Sequence, residues 1–222
     1  SGSVVPSGSN VDLNLTIAAQ PTSPILGKLG DDLGSTIGLV PARVFYVGVG
    51  GIIQSAIDSS KSGDTILVGP GTYKERIIVN KGNIRIVSSQ GARSTIITGE
   101  LIGQTVVFEN ADSNTLFKGF TISGGKFSDS NIPDRTWRGD GCEVRYCDPM
   151  IEDCIFDRNA NFNLAFGGNP TFRNIIIYPN IADTWAQSMV MLLPGARGSF
   201  SGCLFARNSS RIATRATEGV EI

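Results

Sequence analysis

The chain has 222 residues, enough for one sizeable core. It carries 19 Lys and Arg against 20 Asp and Glu, so its net charge of −1 leaves no electrostatic footprint for nucleic acid. It contains no histidine, which excludes histidine general bases, Ser-His-Asp triads and zinc sites that need imidazole.

With 27 glycines and only 18% charged residues, the composition favours an all-β chain with many turns. No apolar run approaches the roughly 18 residues of a membrane span. Four cysteines are too few for a disulfide-dense scaffold. The opening SGSVVPSGSN reads as a mature N-terminus or a cloning remnant, and glycosylation triplets occur at Asn14 and Asn208.

Residues 1–44 form an extended N-terminal segment rich in Gly, Ser and Pro. Within it, residues 10–19, NVDLNLTIAA, alternate so that Val11, Leu13, Leu15 and Ile17 share one face of a strand. Nothing nearby in sequence pairs with this strand. It is expected to add to the body of the protein or, by strand donation, to another copy.

A β-helix domain is expected over 45–222. RVFYVGVG reads as a strand. Ile52, Ile53, Ala56 and Ile57 then fall at helical spacing and Gly63 marks a stop, predicting a short amphipathic helix over 51–61. After it the chain breaks into short β-branched runs, DTILVGPGTY, ERIIVN, NIRIVSS, STIITGE, TVVFEN and TLFKGFTISGG.

Three later stretches align: DCIFDRN at 153–159, NIIIYPN at 174–180 and GCLFARN at 202–208. With Cys154, Ile175 and Cys203 in register, Ile151, Phe172 and Phe200 match, as do Asn159, Asn180 and Asn208. Phe117 and Phe120 extend the pattern backwards, with Gly125 in the Asn slot. Repeats of 20 to 35 residues that hold only strands and turns predict a β-solenoid of six or seven coils.

The runs GIIQSAID, GDTILVGPGTYKERIIV, NIRIVSSQG, STIITG and LFKGFTISGG resemble the start of right-handed parallel β-helix proteins of the pectin-lyase-like superfamily. PMIEDCIFDRN and PTFRNIIIYPN are similar to the later coils of that superfamily, and the resemblance covers about residues 43–210. It implies an all-β right-handed parallel β-helix whose short helix caps the N-terminal end of the stack. It does not imply one function, because lyases, hydrolases, esterases, epimerases, phage spikes and non-enzymatic surface proteins share these coils.

The register assigns roles to the repeated residues. Cys154 and Cys203 lie two coils apart, roughly 10 Å, which is too far for a disulfide. They read as small apolar residues packed inside. Cys142 and Cys147 are either bonded across a loop or free. The Asn column is expected to turn a tight corner in left-handed backbone, its amides stacked on their copies.

One charged column recurs: Lys118, Glu152 and Arg173. It reads as a surface ion ladder or, alternatively, as a lyase site with a Lys or Arg base beside a carboxylate that binds a uronate through calcium. Related β-helix lyases use Lys or Arg in place of His. Yet Asp148 faces Asn169, Glu152 faces Arg173 and Asp157 faces Tyr178, so no carboxylate column suits calcium. Two excursions, 127–147 and 181–198, carry Trp137, Arg138, Tyr146 and Trp185 as candidate contacts for a glycan or a protein partner.

The leading expectation is a secreted or surface structural subunit that self-assembles with copies of itself, through its N-terminal strand and an open coil end. No capping element is evident after Asn208. The alternative is a polysaccharide lyase or related carbohydrate-active enzyme acting on acidic glycans, with a glycan-binding module as a weaker third reading. No cofactor is expected apart from calcium in the lyase case.

Overall fold

The computed structural model describes residues 41–126, 140–160, 163–178 and 190–206 and the backbone of 213–214, and the following concerns these residues. All belong to one unit, Val40–Ile222. The orphan strand with Val11, Leu13, Leu15 and Ile17 lies outside them, as do Trp137, Arg138, Trp185, Asn180 and Asn208.

The strands form three all-parallel sheets. Sheet A contains β1 (Val44–Val47), β2 (Thr65–Val68), β5 (Arg85–Ser88), β8 (Leu116–Lys118), β11 (Met150–Glu152), β14 (Thr171–Arg173) and β17 (Ser199–Ser201). Sheet B contains β3 (Gly71–Lys74), β6 (Thr95–Thr98), β9 (Thr121–Ser123), β12 (Ile155–Asp157), β15 (Ile176–Ile177) and β18 (Leu204–Phe205). Sheet C contains β4 (Ile77–Val79), β7 (Val106–Glu109), β10 (Cys142–Arg145), β13 (Leu164–Phe166), β16 (Val190–Leu192) and β19 (Ala213–Thr214).

From β2 onward the chain visits the sheets in the order A, B, C, and each strand pairs with the strand three positions later. That is a parallel β-helix of six coils following β1. The register of sheet A is the one the repeats predict: Phe117 opposite Ile151, Ile151 opposite Phe172 and Phe172 opposite Phe200.

Alternate residues of each strand point inward and fill the lumen. Phe117, Ile151 and Phe172 from sheet A meet Ile122, Phe156 and Ile177 from sheet B, and Phe108, Val144 and Phe166 from sheet C. Phe117 stacks on Phe120 with ring centroids 4.6 Å apart, and Phe172 stacks on Phe200 at the same distance. Cys154 packs inside as expected, and burial pushes its thiol up to about 12. Cys203, on the last full rung, is half-buried. Cys142 and Cys147 are both buried and unbonded, so the disulfide alternative is not realised.

The corner between sheets A and B differs from the expected one. Left-handed backbone falls one residue before the Cys column, at Gly119 (φ 82°), Asp153 (51°), Asn174 (52°) and Gly202 (66°). Each of the first three donates its amide to the next coil: Gly119 to Glu152 O, Asp153 to Arg173 O and Asn174 to Ser201 O. A Cβ on Gly202 would sit 2.5 Å from Asn174 Oδ1, so the close approach requires glycine as much as φ does.

Asn159 does not turn a corner. Arg158, beside it, takes the left-handed backbone (φ 52°), and Asn159 is fully buried. Its Oδ1 accepts the Gly125 amide at 3.0 Å, and its Nδ2 donates to Ile122 O and Asn163 Oδ1. At this coil the amide joins adjacent coils from within; the other two members of the column, Asn180 and Asn208, lie outside the described residues.

A single helix occurs among the described residues, α1 (Ile53–Ser59), shorter at both ends than predicted. Seven residues make a marginal helix in isolation, and Ile52 at its start offers no side-chain cap. The coil that follows α1 supplies the missing partners. Glu75 accepts the Ile53 and Gln54 amides at 2.8 and 3.0 Å. Lys81 Nζ donates to the carbonyls of Ile57, Asp58 and Ser60 at 2.8 to 3.1 Å. With both termini satisfied, Ile53 and Ile57 sink into the core where α1 packs on β1, β2 and β4, the strands that start sheets A and C.

Asp64 ties the same coil together. It is buried, and its carboxylate accepts from the Arg43 guanidinium at 2.7 Å and from the Arg43 and Lys61 amides. These bonds hold its carboxyl well below the usual carboxylate range. The folded state therefore binds fewer protons than the unfolded state in acid, and stability present above the unfolded pKa falls as pH drops below about 4. Urea unfolding across that range is expected to show a steeper acid loss in the wild type than in Asp64→Asn, whose stability at neutral pH is already reduced.

Candidate functional site

Two polar systems lie on the outer faces. On sheet A the residues that alternate with the core face outward, and the register places Lys118, Glu152 and Arg173 on successive rungs. Glu152 is the centre. Its Oε2 meets Lys118 Nζ at 3.3 Å and its Oε1 meets Arg173 Nη1 at 3.1 Å. Lys118 also reaches Asp153 Oδ2 at 3.1 Å, and Asn174 donates to Asp153 Oδ1 at 2.9 Å.

This column is brought together as the sequence implies, and its geometry is that of a closed ion ladder. The hydrogen bonds Lys118 donates to Asp153 and Glu152 raise its pKa despite some desolvation. A base must lose that proton before it can act, so both carboxylates oppose the role. The Asn174 bond, then Lys118, lowers the Asp153 pKa against desolvation. The carboxylates do not suit calcium either, because cations already occupy them and six to eight converging oxygens are required. Among the described residues no group of three or more acidic or cysteine side chains gathers in a metal-holding arrangement.

The second system, on sheet C, was not predicted. Residues 142–145 were read as part of a long insertion, yet they form β10, a rung of the solenoid. Cys142 and Val144 point into the core, so Glu143 and Arg145 point outward. Glu143 is only 6% exposed. Its Oε2 accepts from Gln104 Nε2 at 2.6 Å and from Arg145 Nη2 at 3.1 Å. Arg145 Nη1 bonds Glu109 on the preceding rung, directly opposite in register. Arg76 Nε donates to the Gln104 backbone carbonyl at 2.8 Å, fixing the segment that carries the amide.

Arg145 thus bridges two carboxylates from adjacent coils. Burial works against its charge, but the hydrogen bonds and charges of Glu143 and Glu109 outweigh this and raise its pKa. Around the network the outward residues Val107, Ala165 and Met191 are also buried, although they are not part of the inner core. This covered outer face therefore contains a carboxylate, a guanidinium and an amide.

Tyr146 is the described member of the candidate aromatic contacts, and it adjoins this network. It is 67% exposed and adopts left-handed backbone (φ 48°), at the turn where Asn110 (59°) and Gly168 (75°) stand on the neighbouring coils. Bulky residues rarely take that conformation, and such outliers concentrate at functional sites. Its ring crosses Gly167, where an added Cβ would lie 2.8 Å from the ring. Both long excursions connect sheet B to sheet C, between β9 and β10 and between β15 and β16, so their ends flank this same face.

The signal for this site was present in the sequence. In CEVR the apolar and charged residues alternate, as a half-buried strand requires. The paired cysteines around it drew attention to a loop instead.

No family model matches the chain, and no curated protein matches it. Among solved structures it is similar to a pectin methylesterase in complex with a hexasaccharide, at 14% identity and a TM-score of 0.40 over 72% of this chain and 66% of that one. It is also similar to the pectin methylesterase PemA of Erwinia chrysanthemi, at 13% identity and 0.44 over 73% and 64%. A third is a Parabacteroides merdae protein whose assignment as a glycosyl hydrolase is itself provisional, at 15% and 0.41 over 74% and 84%. The match spans just under two thirds of both pectin methylesterase chains. These scores are low, and the fold rests on the three parallel sheets themselves. By those sheets the chain is a parallel β-helix, the architecture of the pectin-lyase-like superfamily.

The ladder has a thermodynamic test. Its charges are partly solvated, with the Lys118 side chain 40% exposed. A double-mutant cycle on Lys118→Ala and Glu152→Ala, measured by urea unfolding, is expected to give a coupling of about 1 kcal/mol or less. A much larger coupling would show that the column is a buried structural pair.

Proposed function

We propose that this protein is a carbohydrate-active enzyme acting on acidic glycans, working at the outer face of sheet C. The observation that carries this reading is Glu143, a carboxylate buried on the outside of the solenoid and held by Gln104 and Arg145. A buried charge is costly unless it is paired, and this one is kept on an outer face rather than replaced by an apolar residue. In this reading Glu143 is the base or nucleophile. Arg145 meets the glycan's carboxylate or the developing negative charge, and Tyr146 offers a ring to a sugar face.

The reading includes the lyase form considered from the sequence. There the column of Lys118, Glu152 and Arg173 is the competing site, disfavoured because Lys118 is held in its charged form. Acidic glycans are extracellular polymers, which puts the working location outside the cell. Among the described residues no helix is long and apolar enough to cross a membrane.

Turnover of pectate, alginate and glycosaminoglycans, with and without calcium, decides between the sites. Unsaturated products are read by ultraviolet absorbance and chain cleavage by new reducing ends. Glu143→Gln is expected to lose about 100-fold or more in rate, as a general acid–base group does, with its unfolding midpoint kept near that of the wild type. Lys118→Ala is expected to remain active. Full activity in Glu143→Gln would remove the sheet C site.

Self-assembly stands as a second reading because one described feature favours it. Four of the ten exposed large hydrophobics among the described residues fall within nine residues, in β1 and the turn that leads to α1: Val44, Tyr46, Val49 and Ile52. β1 is also the end strand of sheet A, and an end strand with apolar side chains invites a second copy. Sedimentation of the full chain at rising concentration is expected to show association that Tyr46→Glu reduces. A wild-type chain that stays monomeric throughout ends this reading.

A further inference from the structure

A groove of about 330 Å³ lies on the outer face of sheet A, away from the sheet C network. Arg85, Leu116 and Met150 occupy one register position on three successive rungs and line its floor. Rungs lie about 4.8 Å apart, so these three side chains extend over about 10 Å, enough for one sugar ring. The rim is polar and comes from turns that lead into sheet A: Asn83, Ser113 and Asn114.

The hydrogen-bonding inventory of this groove is uneven. Arg85 is its sole charged lining residue. Arg43, Arg76, Arg145, Arg158 and Arg173 all have bonded partners. Among the described residues the Arg85 guanidinium, the Asn114 side-chain amide and the Ser113 hydroxyl have none. The Asn83 amide donates to Ser62, which leaves its carbonyl oxygen to accept. Asp112, the nearest acid in the turn, is engaged by the amides of Asn83 and Asn114 and by the Thr115 hydroxyl. The groove therefore offers a cationic fork, two further donors, an acceptor and an apolar floor.

We infer that this groove binds a sugar acid, with Arg85 pairing the carboxylate and Asn83, Ser113 and Asn114 meeting ring hydroxyls over Leu116 and Met150. A guanidinium fork matches a carboxylate in two parallel bonds. The neutral polar rim suits hydroxyl groups, and an apolar floor suits the C–H face of a pyranose. The volume is at the lower end of small-molecule sites, so the fit is to one saccharide unit. The site is independent of the proposed activity on sheet C and would persist if that activity were absent.

The test is calorimetric or NMR titration of the full chain with galacturonate, galactose, galacturonate methyl ester and inorganic phosphate. Galacturonate is expected to bind. Galactose and the methyl ester are expected to bind at least about 10-fold more weakly, in line with the loss of one charge-assisted pair. Arg85→Gln is expected to lose a similar factor and Arg85→Lys less, because lysine keeps the charge without the fork. Glu143→Gln is expected to bind as the wild type does, which separates this groove from the sheet C face. Equal binding of galactose and galacturonate, or binding unchanged in Arg85→Gln, overturns the inference. Phosphate binding more tightly than galacturonate also overturns it, because it would show an anion site with no use for the rim and floor.

Discussion

From β2 onward, no strand among the described residues bonds to its neighbour in sequence; each is completed by the coil above or below it. The backbone ladder between coils is the constraint on which everything else depends. It fixes the side-chain parity of each rung, since a one-residue slip would turn the Phe117, Ile151 and Phe172 column into solvent. It also fixes where corners must be tight. Gly119, Asp153 and Asn174 hold left-handed backbone where their amides reach the adjoining coil, and Gly202 takes the same backbone at the next rung. The same parity that seals the lumen projects charges outward at fixed rung spacing.

Two polar systems follow from that projection, and they differ in solvation. On sheet A, Glu152 is shared between Lys118 and Arg173, whose side chains are 40% and 51% exposed, so water competes for both cations. On sheet C, Glu143 is withdrawn from water and relies on Gln104 and Arg145. The first arrangement satisfies itself. The second keeps a carboxylate in fixed orientation at a covered face, which is the condition under which a reacting group is positioned rather than merely accommodated.

How much was legible in the sequence divides along the same lines. The register of sheet A could be read in advance because its strands sit at the centre of the repeated motifs, where Phe117, Ile151, Phe172 and Phe200 align without gaps. Sheet C was obscured, because β10 and β16 each follow a long excursion that breaks the repeat before the rung resumes. Glu143 and Arg145 were therefore assigned to a loop. The Asn column shows a different limit. Alignment established that Asn159 and Gly125 occupy equivalent places, but which of Arg158 and Asn159 takes the left-handed backbone depends on whether the amide or the longer side chain fits inside. Only packing decides that. The Arg85 groove escaped notice because its residues come from separate rungs and turns, and no contiguous motif contains them.

The clamp on α1 has a consequence for how the protein is made. The start of that helix has no side-chain cap of its own and is held by Glu75; at its end the local Ser60 donates to Ile57 O and Lys81 supplies the further bonds to Ile57, Asp58 and Ser60. A ribosome that has released only β1 and α1 has therefore delivered a helix that still lacks the partners Glu75 and Lys81 supply. Synthesis must pass Lys81 before the starting platform closes, and each later coil then has a finished edge on which to settle. The direction of translation and the direction of stacking coincide, so the nascent chain can assemble one rung at a time in the order in which it emerges.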